Sequence, residues 1–234
     1  MIPPKVIGFD ADDTLWVNLP YFLEVEKAFA DLMKQIDPMK DFSRELYKTE
    51  LQNMPLYGYG AKAFTLSLIE TATRHCGNNL PADLLECILT MGKSLLQHPV
   101  VLLDDVEKVL RTLQGRFRCI LVTKGDLLDQ ERKLKKSGLQ TLFHHIEILS
   151  DKRIEDYQRM VKRLDIAPES FLMVGDSIKS DILPALAMGS HAVHIPFHTS
   201  WQFEIPDDIP DENAFFRLER MGQLPELLGI HSLL

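Results

Sequence analysis

The chain has 234 residues, of which 45% are hydrophobic and 26% charged, and its formal net charge is −8. These values suit a globular protein with one large domain, or with a core and a smaller second part. The acidic balance argues against a nucleic-acid-binding protein, whose affinity would rest on neutralising phosphates. No run approaches the roughly 18 apolar residues of a membrane span, and no signal-peptide run precedes the first strand. The three cysteines form neither a disulfide framework nor a zinc pattern. We therefore expect no membrane partner, no nucleic-acid partner and a cytoplasmic location.

The first predicted element is a short buried strand that ends in acidic residues. Val6–Phe9 is an apolar run typical of a strand in a parallel sheet, and Asp10, Asp12 and Asp13 follow it closely. Clustered carboxylates repel one another, so their placement favours a bound cation. A polar turn after the strand is the alternative, because Asp is common in turns.

Residues 20–99 carry a helical pattern throughout. Apolar residues recur there at helical spacing in four stretches, and turn residues separate the stretches. The second helix is expected over about Arg44–Asn53, with a loop over 54–60 after it. Because no strand signal interrupts the block, we predict a helical insertion long enough to form a small domain.

From Val100 onward, strand and helix patterns alternate. Strands are predicted over 117–122, 145–149, 171–174 and 191–196, a helix over 178–188, a loop over 199–213, and a closing helix over 221–228. Such alternation predicts an α/β fold with a parallel sheet covered on both faces. The predicted architecture is a Rossmann-like core of residues 1–15 and 100–234, interrupted by an α-helical cap over 16–99. The insertion leaves the sheet directly after the acidic turn, so we expect it to serve as a lid.

Polar residues also follow the later strands, at the edge where open α/β sheets bind ligands. Thr123 offers a hydroxyl, and the backbone amides of Lys124 and Gly125 begin the next helix, an arrangement that suits an anion. Alone, a threonine at this position is more often a helix cap.

Two further strand ends complete the set. Lys152 follows one strand, and Asp176 follows another, with Asp181 five residues later. A loop lysine is usually solvated, and Gly-Asp-Ser is a common turn. Taken together, however, these residues offer carboxylates for a divalent metal, and donors and a cation for a phosphate.

The motifs resemble those of the haloacid dehalogenase superfamily. Phe9–Leu15 is similar to its first signature, DxDxT, and Val174–Asp181 to its fourth, GDxxxxD. Leu121–Gly125 resembles the second signature, a strand that ends in Ser or Thr, and Lys152 fits the third, a lysine ahead of a helix. A helical cap inserted after the first motif is also a feature of that family. The first and fourth signatures are highly specific in combination.

The resemblance implies a role for each residue. Asp10 would be the nucleophile that forms an aspartyl-phosphate, and Asp12 the general acid and base. Mg²⁺ would be held by Asp10, the backbone carbonyl of Asp12, and Asp176, with Asp181 supporting the metal shell. The implied catalytic set is Asp10, Asp12, Thr123 and Lys152. The implied phosphate-binding set is Asp10, Ala11, Asp12, Thr123, Lys124, Gly125 and Lys152.

Two lysines compete for one role. Position 124 is often Asn in relatives, so Lys124 is a second cation that could bind phosphate or take the role of Lys152. Lys152 is favoured because it lies at a separate strand end.

Asp12 also bears on the type of reaction. By the same resemblance, the family's dehalogenases lack this second aspartate, because a halide leaves without a proton and an alcohol does not. The expected function is a Mg²⁺-dependent phosphatase that acts on a small phosphorylated metabolite, as a monomer or homodimer. A phosphomutase, or a non-catalytic binding or regulatory protein of the same fold, is the alternative.

Other polar residues carry weaker expectations. His191, His194 and His198 are not expected to bind a metal, because residues three apart on a strand face opposite sides. Asp13 is expected to serve only the turn into the helical block.

Overall fold

The structure, a computed structural model, describes residues 4–206 and 211–230, apart from the side chains of Asn78 and Glu212. It divides into two compact units. One combines Val100–Lys124 with the described parts of Met1–Leu19 and Gln130–Leu234, and the other combines Pro20–Pro99 with Gly125–Asp129.

The first unit is built on a parallel sheet in the order β3-β2-β1-β4-β5-β6. The strands are β1 (Val6–Phe9), β2 (Arg118–Lys124), β3 (His145–Leu149), β4 (Phe171–Gly175), β5 (His191–His194) and β6 (Phe216–Arg217). In the register, Phe9 lies beside Leu121 of β2 and Val174 of β4. The carboxyl ends of these three strands are therefore neighbours.

Apolar clusters cover both faces of the sheet, as an all-parallel sheet requires. The helices are α5 (Val106–Leu113), α6 (Leu127–Ser137), α7 (Ile154–Arg163), α8 (Leu183–Ala187) and α9 (Leu224–Leu227). One face packs against α5, Leu134 of α6 and Leu224 of α9, and the other against α7 and α8. Alternate strand residues enter the two clusters because successive side chains point to opposite faces. The predicted α/β fold is thus confirmed.

The second unit is helical. It contains α1 (Leu19–Met33) from residue 20 onward, α2 (Phe42–Tyr57), α3 (Ala61–Cys76) and α4 (Ala82–Gln97). Its core is one apolar cluster in which Phe29, Met33, Leu46, Leu68 and Ile88 are fully buried. Within the described part of the chain, no helix is both long enough and apolar enough to cross a membrane.

Three local predictions were wrong. The loop expected from Met54 begins later, because α2 continues through Pro55 to Tyr57 and ends where Gly58, at φ +73°, donates its N–H to the Met54 carbonyl. The helix expected over 178–188 starts as a π-helix, Ile178–Ile182, which changes to α8 before Pro184. The loop expected over 199–213 contains a short 3₁₀ turn, Gln202–Glu204, while its residues 207–210 lie outside the described residues. The two-residue strand β6 was missed because it is too short to show periodicity.

Candidate active site

Three neighbouring strands bring the predicted site residues to one edge of the sheet. Asp10 follows β1, Asp176 follows β4, and Thr123 is the penultimate residue of β2. The Asp10 N–H donates to the Val174 carbonyl at 2.9 Å, so the first acidic residue is still held in the sheet's register. The nucleophile candidate is therefore fixed by backbone bonding and not by a free loop.

Three carboxylates converge at this edge. One oxygen each from Asp10, Asp176 and Asp181 lies within 4.8 Å of the others, a grouping suited to a metal ion. Within residues 4–206 and 211–230, these three carboxylates are the potential metal ligands that lie close enough together to share an ion. No histidine is among them. Asp10 is 7% exposed and Asp181 1%, so these two carboxylates are shielded from water, whereas Asp176 is half-buried.

Lys152 lies against this cluster. Its ammonium, which is buried, donates to Asp10 through a short hydrogen bond and to Asp181 at 2.7 Å. The three carboxylates and this ammonium together leave a formal charge of −2. A divalent cation would neutralise that charge, and carboxylate oxygens are the ligands that hard cations prefer.

The other candidate lysine has different partners. Lys124 Nζ lies 2.5 Å from a carboxylate oxygen of Glu204 and donates to Ser180 Oγ at 2.8 Å. The same carboxylate accepts 2.5 Å bonds from the hydroxyls of Ser177 and Ser180. Lys124 therefore ties the tail segment that carries Glu204 to the π-helix loop.

Burial controls protonation in the cluster. Burial raises the pKa of Asp10 to about 7, against the opposing charge of Lys152. Burial, followed by the charge of Asp10, raises the pKa of Asp176 well above its usual range. Burial by itself would lower the pKa of Lys152, but the charges of Asp10 and Asp181 raise it well above the usual range. The ammonium is thus retained, while Asp10 and Asp176 lack enough positive charge to compensate for their burial.

Hydrogen bonds from nearby residues orient the carboxyl groups of two of the aspartates. Thr14 Oγ1 donates to Asp176 Oδ1 at 3.2 Å and accepts the Asp176 N–H at 3.0 Å. Asp181 Oδ2 accepts the Ser177 N–H at 3.1 Å. Gly175 leaves room for that carboxyl group, since a Cβ built at position 175 would lie 2.2 Å from Asp181 Oδ2.

Asp12 is surrounded by donors that the sequence interpretation missed. Its carboxylate accepts from Trp16 Nε1 at 2.7 Å, from Lys133 Nζ at 2.6 and 2.7 Å, and from Gln130 Nε2 at 3.2 Å. Gln130 and Lys133 are three residues apart on α6 and so share a face. That spacing, in the helix after the second motif, was the sequence feature that could have indicated these two residues.

Gln130 also reaches the threonine of the second motif. Its Nε2 donates to Thr123 Oγ1 at 2.6 Å and lies 3.2 Å from the Lys124 carbonyl. Because Thr123 accepts this bond, its own O–H remains available to donate. The two remaining residues of the predicted phosphate-binding set are Gly125, whose φ is 137°, and Ala11, which is buried. The Ala11 carbonyl accepts hydrogen bonds from the backbone N–H groups of residues 14–16.

Asp13 serves the turn, as expected. Its carboxylate accepts the N–H groups of Asn18 and Leu19 at 2.9–3.1 Å, which satisfies donors at the start of α1. Its own φ is 63°, a left-handed conformation that Asp tolerates.

Comparison with known proteins assigns the sequence to a family. The family model for haloacid dehalogenase-like hydrolases matches residues 4–189, which include Asp10, Thr123, Lys152, Asp176 and Asp181. The chain belongs to the haloacid dehalogenase-like hydrolase family. Hydrolases of this family generally use a divalent metal, and the three-carboxylate cluster is the acidic group that would hold one here.

Individual relatives align with this hydrolase along nearly the whole chain. A haloacid dehalogenase-like family hydrolase from Xanthomonas campestris is 32% identical, with a TM-score of 0.85 over 97% of this chain and 91% of that one. The glyceraldehyde 3-phosphate phosphatase of Methanopyrus kandleri is 25% identical over 96% of this chain and 97% of its own. The hydrolase YfnB of Bacillus subtilis, whose structure was determined bound to magnesium, is 18% identical with a TM-score of 0.66 over 97% and 99%. This last likeness shows the fold alone.

Proposed function

We propose that this hydrolase is a Mg²⁺-dependent phosphatase that acts on a small phosphorylated metabolite through an aspartyl-phosphate at Asp10. The observation that carries the proposal is the pairing of Asp10 with Lys152 inside the three-carboxylate cluster. A buried carboxylate beside an ammonium and a metal site is a nucleophile that can approach an anionic phosphate.

The residues present fit a divalent ion. Asp10, Asp176 and Asp181 would hold it, together with the backbone carbonyl of Asp12, and water and substrate would fill the remaining positions. When bound, Mg²⁺ would neutralise the carboxylates and polarise the phosphoryl oxygens. The raised pKa values of Asp10 and Asp176 support this assignment, because they mark carboxylates that lack positive charge.

The chain's own residues account for the transfer. A carboxylate oxygen of Asp10 attacks phosphorus, and the ester P–O bond breaks with its electron pair leaving on the alcohol oxygen. Asp12 supplies the proton that this oxygen needs. Water then attacks phosphorus and gives a proton to Asp12, and the bond from phosphorus to Asp10 breaks. Inorganic phosphate leaves, and both aspartates return to their starting state.

Two other residues would position the transferred group. Lys152 would bind a phosphoryl oxygen and offset the charge of Asp10, and the free O–H of Thr123 would donate to another oxygen. Lys124 is a weaker candidate for this role because it is paired with Glu204.

Small phosphate esters are the proposed substrates. A relative that aligns along nearly the whole chain acts on glyceraldehyde 3-phosphate, so this compound should head a panel with other triose and sugar phosphates, phosphoglycolate and nucleoside monophosphates. Phosphate release and isomer formation should be measured together, because a mutase would form an isomer without releasing phosphate.

The deciding experiment combines turnover with trapping. Hydrolysis of p-nitrophenyl phosphate should require Mg²⁺, stop with EDTA and disappear in Asp10→Asn. The variant Asp31→Asn, which changes an exposed aspartate of α1, should retain full activity. Acid quenching followed by borohydride reduction should convert Asp10, and no other aspartate, to homoserine. Turnover that survives EDTA or Asp10→Asn would contradict the proposal.

A further inference from the structure

The carboxylate of Asp12 is held on both of its oxygens. Oδ1 accepts from Trp16 Nε1 and Lys133 Nζ, and Oδ2 accepts from Lys133 Nζ and Gln130 Nε2. A carboxylate offers about four lone-pair sites, two on each oxygen. All four are therefore occupied, and the orientation of the group is determined by its surroundings.

Lys133 makes the strongest of these contacts. It bridges both oxygens, at 2.6 and 2.7 Å, and also donates to Asn18 Oδ1 at 3.2 Å. Its side chain is only 16% exposed, whereas Lys135 on the same helix is exposed. Holding a lysine in one conformation costs side-chain entropy, so the three contacts must outweigh that loss.

The bond from Gln130 is the longest in the set, at 3.2 Å, and Gln130 has Thr123 as a second partner at 2.6 Å. An incoming substrate oxygen can therefore replace Gln130 on Oδ2 at little cost. Lys133 and Trp16 would then keep the carboxylate in place while that oxygen exchanges a proton with it.

We propose that Lys133 is a positioning residue for proton transfer by Asp12, which it holds within reach of the leaving-group oxygen. The inference rests on the proposed function and goes beyond it by assigning a role to a helix residue outside the four signatures. Displacing a reacting group by about 1 Å can cost roughly 100-fold in rate. The phosphate-binding residues Thr123 and Lys152 do not contact Lys133, so ground-state binding should be nearly unaffected.

The kinetic test compares leaving groups. Nitrophenolate leaves without a proton, whereas an alkoxide needs one. With Mg²⁺, Lys133→Met should lower kcat/KM, which reports the transfer of the phosphoryl group to Asp10, about 3-fold for p-nitrophenyl phosphate and about 100-fold for an alkyl phosphate. Lys133→Arg, which keeps a donor and a charge, should recover part of the alkyl rate. Lys135→Met is the matched control and should behave as wild type for both substrates.

A second readout needs no turnover. The chain has two tryptophans, so two indole N–H resonances are expected in an amide correlation spectrum, and Trp201→Phe assigns them. Lys133→Met should shift the Trp16 indole resonance, because Asp12 accepts its hydrogen bond, and Lys135→Met should leave it in place.

The outcomes separate the two proposals. Equal losses of kcat/KM for aryl and alkyl esters in Lys133→Met, or an unmoved Trp16 resonance, would overturn the positioning role while leaving the phosphatase intact. No hydrolysis of any phosphate ester by the wild type would overturn the phosphatase, and the positioning role would fall with it. Thermal unfolding of each variant checks that a lower rate does not result from loss of the folded structure.

Discussion

Thr14 and Asp176 exchange two hydrogen bonds across 162 residues of sequence. The threonine hydroxyl donates to Asp176 Oδ1 at 3.2 Å and accepts the Asp176 N–H at 3.0 Å. The threonine of the DxDxT motif thus holds the first acid of the GDxxxxD motif. The two signatures are therefore coupled, because the turn after β1 orients the carboxylate that follows β4.

Removing this hydroxyl should weaken metal binding. Thr14→Val keeps the shape but loses both bonds, and residues that orient a metal ligand are typically worth about 10- to 100-fold in affinity. We expect at least a 10-fold rise in the Mg²⁺ dissociation constant, measured by titration calorimetry. Thr14→Ser retains the hydroxyl and serves as the control. Equal affinities for Val and Ser at this position would refute the coupling.

Substitution of Lys152 should reduce activity far more than substitution of Lys124. Lys152→Met leaves the two buried carboxylates of Asp10 and Asp181 without their cation, and breaking a buried pair typically costs about 3–5 kcal/mol. We expect a loss of that size in the metal-free free energy of unfolding and activity below about 1% of wild type. Lys124→Met removes a pair with Glu204 and should retain most activity. Comparable activity losses in the two variants would contradict the assignment of Lys152 to the phosphate.

Gly175 should not tolerate a side chain. In Gly175→Ala, the new Cβ would lie 2.2–2.7 Å from the side chain of Asp181, which would displace that carboxyl group. Mg²⁺ affinity and thermal stability should both fall. Asp181→Ala removes two of the three close contacts, so the double variant should lose less stability than the sum of the single variants. Strict additivity in thermal denaturation would count against this steric explanation.

The buried state of Asp10 should make stability depend on pH. Its pKa is raised to about 7, so between its ordinary value and pH 7 the folded, metal-free protein holds a proton that the unfolded chain has released. Stability from this group therefore falls as pH rises through that interval. In EDTA, wild type should lose free energy of unfolding relative to Asp10→Asn between pH 5 and pH 8.

Comparison with Asp10→Asn cancels the titration of groups that do not interact with Asp10, such as His194, whose pKa burial lowers. Because a metal would replace the proton, Mg²⁺ should stabilise wild type more at pH 8 than at pH 5. Urea titrations at four pH values would measure both effects. A constant difference between wild type and Asp10→Asn would show that Asp10 does not titrate in this range.

Much of the fold was predictable because its signals are local. Apolar runs such as Val6–Phe9 and Phe171–Val174 indicate strands in a parallel sheet buried on both faces, and the helical spacing over 20–99 indicates helices. Local signals failed where the chain breaks a regular pattern. Pro55 suggested a loop inside α2, and the two residues of β6 carry too little periodicity to detect.

The sequence by itself determined which residues could meet at the site. Parallel strands place their carboxyl ends at one edge, so Asp10, Thr123 and Asp176 were expected at that edge, and the strand order β2-β1-β4 makes them neighbours. Tertiary structure alone decided their side-chain partners: Lys152 contacts Asp10, Lys124 pairs with Glu204, and Lys133 holds Asp12. A side-chain contact between distant segments depends on register, helix rotation and rotamer together. None of these leaves a periodic trace in the sequence, whereas burial does, and the alternation of strands with helices indicates strand direction.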